Sequence, residues 1–408
     1  MSLFLLRCGS DDDPGTGHTT STGGAGAGGS DAGGSGGSDA SSGGSAGSGG
    51  APTDAGDASD AGDASSGWKL PTCTAVSGTA AVTFSHDDGA TLAPVSGALT
   101  GVVYTKGLVA LDVPNVLLAA SGTKLLRSGD AGCTWSELAD LPSGTMLLAK
   151  GVGERAFVWD DNQSALIRVD GTTLTTLKSP TPNVIGIGTD PTNADRLRVG
   201  GGDSQLWESK DGGKTFDPVG VPAFASASLL AYRVGFDPKD LDHVLIGVAN
   251  DGASYSTDGG KNWKKSSGLS QNGQANAFEV VVSPVSSQVV WAEGIDLAEN
   301  LGGATNEGRH IWRSTDGGAT FAAVVAHKPG DVTLTNGIPL VPHPTDAAVV
   351  YFEFGTYFQG YGTDLFRYDA ATNALTRSHN SYDDMLAIAF SPADPTLLYL
   401  GISSEKIN

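Results

Sequence analysis

An eight-residue segment returns along this chain, and its period limits what the chain can fold into. Ser85-His86-Asp87-Asp88-Gly89-Ala90-Thr91-Leu92 has the form S-x-D-x-G-x-T followed by an aromatic residue or Leu. The form recurs at Ser128, Asp130, Gly132, Thr134 and Trp135, and at Ser209, Asp211, Gly213, Thr215 and Phe216. It recurs again at Ser256, Asp258, Gly260, Asn262 and Trp263, and at Ser314, Asp316, Gly318, Thr320 and Phe321. Arg168-Val169-Asp170-Gly171-Thr172-Thr173-Leu174 fills the wide gap between the second and third copies, and Leu365-Phe366-Arg367-Tyr368-Asp369 follows the last. Asp87, Asp130, Asp170, Asp211, Asp258, Asp316 and Asp369 are then separated by 43, 40, 41, 47, 58 and 53 residues. A repeating unit of four strands takes roughly 40–50 residues, so the spacing predicts seven such units.

A second pattern is interleaved with the first. Residues 184–201, 233–248, 279–294, 337–355 and 387–401 each read as strand, turn, strand, with turns such as Thr189-Asp190-Pro191 and Pro342-His343-Pro344. Pro presets the backbone of such turns and Asp caps its own chain, while runs such as Val280-Val281-Val282 are β-branched, as strands prefer. Each unit reads strand, Pro turn, strand, loop, strand, Asp turn, strand. The segment around Asp87 has room only for the last two strands of a unit, and residues 387–404 supply only the first two. Joined, they complete one unit and close a ring, which removes open sheet edges. The expected fold is all-β: a seven-bladed β-propeller whose terminal strands share a composite blade. A linear solenoid or a pair of sandwiches leaves the complementary ends unexplained.

The repeated turns are expected to be structural. Ser and Asp side chains bond local backbone, Gly admits positive φ, and the closing aromatic residue buries apolar area. A calcium loop needs six or more oxygen ligands, and most copies offer one carboxylate, so no metal is expected. The motif resembles the Asp box, or BNR repeat, of sialidases, sortilin-type receptors, xyloglucan-cleaving glycosidases and a photosystem assembly factor. That resemblance spans Ser85 to Asp369 and speaks for the fold more than for the function. The whole-chain layout is most similar to the dispase autolysis-inducing proteins, secreted bacterial seven-bladed propellers. The similar stretches are Thr83–Gly89, Tyr255–Trp263 and Phe278–Pro284. This resemblance implies a secreted neutral metalloprotease of the thermolysin kind as partner, with promotion of its self-cleavage or control of its activity.

Ahead of the repeats the composition changes. Residues 9–67 are almost all Gly, Ser, Ala, Asp and Thr, too poor in large apolar groups to form a core. They are expected to be a disordered linker, reaching on the order of 40 Å. Residues 1–8 end an apolar run at Cys8 and resemble a short, atypical lipoprotein signal, with Arg7 where a small residue is expected. The expected organisation is a signal-like segment at 1–8, a linker at 9–67 and a propeller at 68–408. An extracellular or cell-envelope address follows, with Cys8 as a possible lipidation site and the only route to a membrane. Exported thiols often pair, and their place in neighbouring blades predicts a Cys73–Cys133 disulfide. Formal net charge is −21; the linker holds nine Asp and no Lys or Arg, leaving −12 elsewhere. An acidic surface disfavours nucleic acid.

Strand direction alternates within a blade, so the Pro turns and Asp turns share one face and the remaining loops share the other. Residues 264–278, 295–310, 326–336 and 356–364 are the long irregular stretches, and all fall on that second face. Long loops in compact domains tend to carry function. Tyr357, Phe358 and Tyr361 offer aromatics, and Asp296, Glu299, Glu307, Arg309 and His310 offer charge. These eight are the candidate contact residues for a protein partner. The arginines form no triad of the sialidase kind, and neither G-x-S-x-G nor H-E-x-x-H occurs. No catalytic residue and no cofactor is assigned, and the chain is expected to act as a monomer. The alternative is a propeller that binds or hydrolyses a polysaccharide, which would need two carboxylates about 5–9.5 Å apart.

Overall fold

The computed structural model describes residues 67–78, 81–96, 103–160, 164–225, 229–356 and 359–407. Cys8, the linker residues before 67, Tyr357 and Phe358 lie outside the described residues. Three short strands come first: β1 (Val76–Gly78), β2 (Val82–Ser85) and β3 (Val95–Ser96). Antiparallel ladders follow in chain order. One is β4 (Thr105–Ala110), β5 (Leu117–Ser121), β6 (Lys124–Ser128) and β7 (Thr134–Asp140). Then come β8 (Met146–Lys150), β9 (Arg155–Asp160), β10 (Leu166–Asp170) and β11 (Thr173–Thr176). Next are β12 (Val184–Thr189), β13 (Leu197–Gly201), β14 (Leu206–Ser209) and β15 (Asp217–Val219).

The second half repeats the plan. It holds β16 (Ala231–Phe236), β17 (Val244–Val248), β18 (Gly252–Ser256) and β19 (Lys264–Lys265). The next ladder is β20 (Ala275–Val282), β21 (Val290–Asp296), β22 (Arg309–Ser314) and β23 (Ala322–Ala326), with a short helix α1 (Leu297–Leu301) between β21 and β22. After it come β24 (Leu340–Pro342), β25 (Val349–Thr356), β26 (Gly362–Asp369) and β27 (Ala374–Asn380). The chain ends on β28 (Met385–Phe390) and β29 (Leu398–Ile402), and β29 pairs antiparallel with β2. The second strand and the last strand described therefore share a sheet. The domain is all-β and propeller-like, and α1 is its sole α-helix among the described residues.

The first strands of the ladders stand side by side. β4 adjoins β8, β8 adjoins β12, then β16, β20 and β24 follow in turn, and β28 adjoins both β25 and β4. Apolar side chains are buried between neighbouring ladders rather than in one central core. Tyr399, Phe84 and Leu117 meet Trp135 in one junction, and Trp291 and Ile311 meet Phe352 and Phe366 in another. The aromatic residue closing each repeated turn packs toward the ladder before it: Phe216 against Phe157 and Leu166, and Phe321 against Leu245 and Ala253. Such wedges each remove on the order of 150–250 Å² from water.

The repeated turns share one bonding scheme. Ser Oγ accepts from the Gly N–H at 2.7–2.9 Å and donates to Asp Oδ1 at 2.7–2.9 Å. The same Asp accepts from the backbone and side chain of Thr91, Thr134, Thr215, Asn262 or Thr320. Asp87, Asp130, Asp211, Asp258 and Asp316 thus spend their lone pairs inside their own turns. Bonds from the Thr215 N–H and the Asn262 amide lead in holding Asp211 and Asp258 down to about 2. The worn copies use other partners: Asp170 accepts from Arg155 and Arg168 at 2.6 and 2.7 Å, and Asp369 from the Ala371 N–H at 2.9 Å.

Two details differ from the sequence expectation. β3 was to be the outer partner of β2, but it pairs in parallel with β1, and β1 pairs in parallel with β7. Only the start of that segment stays with β2, through Ala93 N–H to Phe84 O at 3.0 Å. Gly78 permits the crossing, because a Cβ there would lie 2.1 Å from Trp135 O. The chain reaches this crossing through Cys73, which is disulfide-bonded to Cys133 with a Cα–Cα distance of 5.7 Å. The irregular stretch 264–278 is also shorter than expected, since Lys264–Lys265 and everything from Ala275 onward are strand.

Candidate functional site

The two ends of each ladder differ. The repeated turns and the Pro turns lie together, as shown by Ala131 N–H to Asn115 O, Gly259 N–H to Asp242 O and Gly317 N–H to Gln288 O, all at 2.9 Å. The β21–β22 connection, the β25–β26 connection and the segments linking one ladder to the next occupy the opposite end. Most candidate contact residues sit there.

The β21–β22 connection is built by Asp296. It ends β21, accepts from Ala298 N at 2.8 Å and from Ser270 Oγ at 2.7 Å, and so caps α1. An N-cap carboxylate satisfies the free N–H groups of a first turn. Gly302 stops the helix and bonds back to Ala298 O. The cap leaves Leu301 at the helix end 82% exposed. Behind the helix, Glu299 receives bonds from His310 Nε2 at 2.8 Å and Asn306 Nδ2 at 2.9 Å. The His310 bond leads in holding the Glu299 carboxyl below the usual range. Arg309 Nε donates to Glu307 at 3.1 Å, and its Nη1 donates to Asn336 Oδ1 in the segment leading to β24. Glu299 thus pairs with His310 and Glu307 with Arg309, while Asp296 is spent on the helix start and Ser270.

Tyr361 belongs to a second group. Its hydroxyl donates to Asp364 Oδ2 at 2.8 Å, and that bond leads in raising the Tyr361 phenol. Its ring stands edge-on to His379 at 5.0 Å, and His379 Nδ1 meets Asp364 Oδ1 at 2.8 Å. Arg377 lies 3.6 Å from the same carboxylate and donates to Asp331 O at 3.0 Å. Tyr361 remains 40% exposed.

Leu301 is the residue sequence reasoning missed. A helix was legible in principle, since Asp296 and Gly302 stand at cap spacing, but the stretch reads as irregular because one helical turn shows no periodicity. Two exposed apolar side chains, Leu301 and Tyr361, thus crown adjacent ladders on one end of the domain. Among the described residues no group of three or more His, Cys, Asp or Glu is arranged to hold a metal ion.

No family model matches the chain. Dispase autolysis-inducing protein from Streptomyces mobaraensis is 50% identical over 346 residues, covering 84% of this chain and 92% of that protein. The chain belongs to the dispase autolysis-inducing protein family. Among solved structures, a GH74 xyloglucanase from Xanthomonas campestris is 16% identical with a TM-score of 0.50, covering 70% of this chain and 49% of that chain. This member of the dispase autolysis-inducing protein family spans about half the length of that enzyme, and the likeness speaks for the fold alone. YCF48 bound to D1 peptide is 12% identical with a TM-score of 0.49, covering 74% and 93% of the two chains.

Proposed function

We propose that this chain is an exported, non-enzymatic seven-bladed propeller that binds a secreted thermolysin-like metalloprotease and promotes its autolysis. The 50% identity to a protein named for inducing dispase autolysis carries the reading. Seven blades are supported by the succession of first strands from β4 round to β28. An apolar cluster at each junction supports the same number. Export is supported by the Cys73–Cys133 disulfide, since such bonds persist in oxidising compartments. Lipidation at Cys8 would hold the protein at the cell envelope, and the domain acts as a monomer.

The contact surface in this reading is the loop end carrying Leu301 and Tyr361. An exposed tyrosine beside fixed polar groups resembles the anchors of protein interfaces, and Leu301 adds exposed apolar surface next to it. The acidic groups nearby are already paired, so they set shape and steering more than binding strength. By ordering this surface against the protease, the rigid domain would favour an encounter that exposes a cleavable segment.

The test is protease lifetime. Purified full-length chain is incubated with a thermolysin-like metalloprotease, and intact protease is followed by gel. Wild type is expected to shorten that lifetime, and the double variant Leu301→Ala, Tyr361→Ala to lose most of the effect. An unchanged lifetime with wild type overturns the reading; an equal effect from the double variant overturns the choice of surface.

A further inference from the structure

One position repeats from ladder to ladder: the third residue after the one paired with the Ser of the repeated turn. Leu117, Leu197, Val244 and Leu398 pair with Ser128, Ser209, Ser256 and Ser85. Three residues on stand Ala120, Gly200, Gly247 and Gly401. These sites face the first strand of the next ladder at contact distance. A Cβ on Gly247 would lie 2.3 Å from Ala277 O of β20, and one on Gly401 would lie 2.7 Å from Thr105 O of β4.

Two other ladders carry a glutamate instead, and the β8–β11 ladder follows neither form. Val290 pairs with Ser314; Val350, which pairs with Tyr368, is its counterpart, because His343 N–H to Val349 O at 3.0 Å repeats Ser283 N–H to Val289 O at 2.9 Å. Three residues on are Glu293 and Glu353, with 0% and 4% exposure. Each points at the segment entering the next ladder. β24 begins only at Leu340, so the residues before it leave space, and Gly337 N–H donates to Glu293 Oε2 at 3.1 Å. Glu353 lies against Asp384, which immediately precedes β28. Glu293 Oε1 and Glu353 Oε2 have no hydrogen-bond partner.

The surroundings do not suit two carboxylate anions. Glu293 faces Glu279 on β20 and Arg309 on β22, and the guanidinium is engaged by Glu307 and Asn336. Glu353 faces Asp384, which in turn faces Asp383 and, on β4, Lys106. Asp383 receives a short bond from the Tyr104 hydroxyl, and its N–H donates to Glu405 O at 3.3 Å. Burial is the largest influence on both glutamates, pushing Glu293 up to about 8 and Glu353 well above the ordinary range. A buried carboxyl without a counter-charge keeps its proton.

We propose that Glu293 and Glu353 are matched proton-held latches: protonated, each fastens the segment entering the next ladder, and deprotonated, each releases it. The Gly337 N–H bond by itself favours the anion, but burial outweighs it, so the closed junction holds Glu293 with its proton and without charge. Deprotonated, it leaves an anion in a dry junction beside Glu279, and opening the segment to admit water relieves that cost. The same segment carries Asn336, the partner of Arg309, so release loosens the loop end that bears Leu301. Glu353 works equivalently on Asp384, whose backbone carbonyl accepts from Ser403 N at 3.0 Å just beyond β29. The proton in each case is exchanged with solvent.

The test is hydrogen–deuterium exchange of the intact protein from pH 6 to 9, corrected for intrinsic exchange. In wild type, protection around Gly337 and around residues 382–385 should fall by up to roughly tenfold per pH unit while the closed form keeps a proton that the open form has lost, and the fall at Gly337 should level off above about 8. Glu293→Gln keeps shape and acceptor but cannot ionise, so it should flatten the response at 337 and leave that at 382–385. Glu353→Gln should do the reverse. Identical pH responses in wild type and the matching Gln variant overturn the proposal. Carbon-13 NMR of wild-type glutamate side chains is a second reading independent of any variant. A Glu293 carboxyl titrating in the ordinary range overturns the proposal as well.

Discussion

Ser85 of β2 lies directly across the sheet from Leu398 of β29, so a residue near the start of the domain is bonded through its strand to one near the end. The junction beyond this pair is tight, because Gly401 faces Thr105 O of β4. Gly401→Val should force the two apart and destabilise the domain by about 1–3 kcal/mol, as overpacking does. Urea unfolding measures it; an unchanged midpoint would mean the closure carries no strain-sensitive contact.

The serine of the repeated turn should matter more than its small size suggests. Ser128 is buried, and its Oγ accepts from Gly132 N at 2.9 Å. Ser128→Ala strands that N–H and removes a bond to Asp130, so the expected loss is about 1–3 kcal/mol. Thr134→Val leaves the exposed side of the turn without one hydroxyl and should cost less. Chemical denaturation of the two variants gives the order.

Reducing the Cys73–Cys133 bond should lower stability as well. The cysteines are 60 residues apart in sequence, and a loop of that size confines the unfolded chain by about 4 kcal/mol on the chain-entropy account. Cys73→Ser with Cys133→Ser should therefore shift guanidinium unfolding to lower denaturant, and added reductant should not shift the variant further.

Stability should decline on both sides of mildly acidic pH. Asp211 and Asp258 are held at about 2 against an ordinary 3.8. The unfolded chain then takes up protons first, and stability falls as pH drops from 3.8 toward 2. Glu293 runs the other way: its folded value of about 8 lies above the ordinary 4.5. Between those values the folded chain keeps a proton the unfolded chain has lost, so stability falls as pH rises, by up to about 1.4 kcal/mol per unit for one group. Melting temperatures from pH 2 to 9 would trace both arms, and Glu293→Gln should remove this group's share of the upper one.

The ladders and the joined ends were legible because they rest on local chemistry. A turn that bonds itself through Ser128 and Asp130 needs no distant partner, so it is written in adjacent residues. The parallel path of β1 between β3 and β7 was not legible, since Val76 and Ser77 carry no turn signal and pair with distant segments. Counting strands put Asp296, Glu299, Glu307, Arg309, His310 and Tyr361 on the end of the ladders where the structure has them. Their mutual pairing, as in Glu299 with His310, depends on side-chain directions that spacing does not fix. The equivalence of Glu293 and Glu353 was written in Val289-Val290-Trp291-Ala292-Glu293 and Val349-Val350-Tyr351-Phe352-Glu353, yet it emerges only once the strand register is known.

Chain entry at residue 67 lies on the end of the domain opposite Leu301. Trp68 Nε1 donates to Leu111 O at 3.1 Å, and Lys69 N donates to Asn115 Oδ1 at 2.8 Å, both within the turn between β4 and β5. A pull applied through Gly67 would first strain the indole bond and then meet the covalent stop at Cys133. Mounted by that point, the domain would present Leu301 and Tyr361 outward like the open side of a bracket.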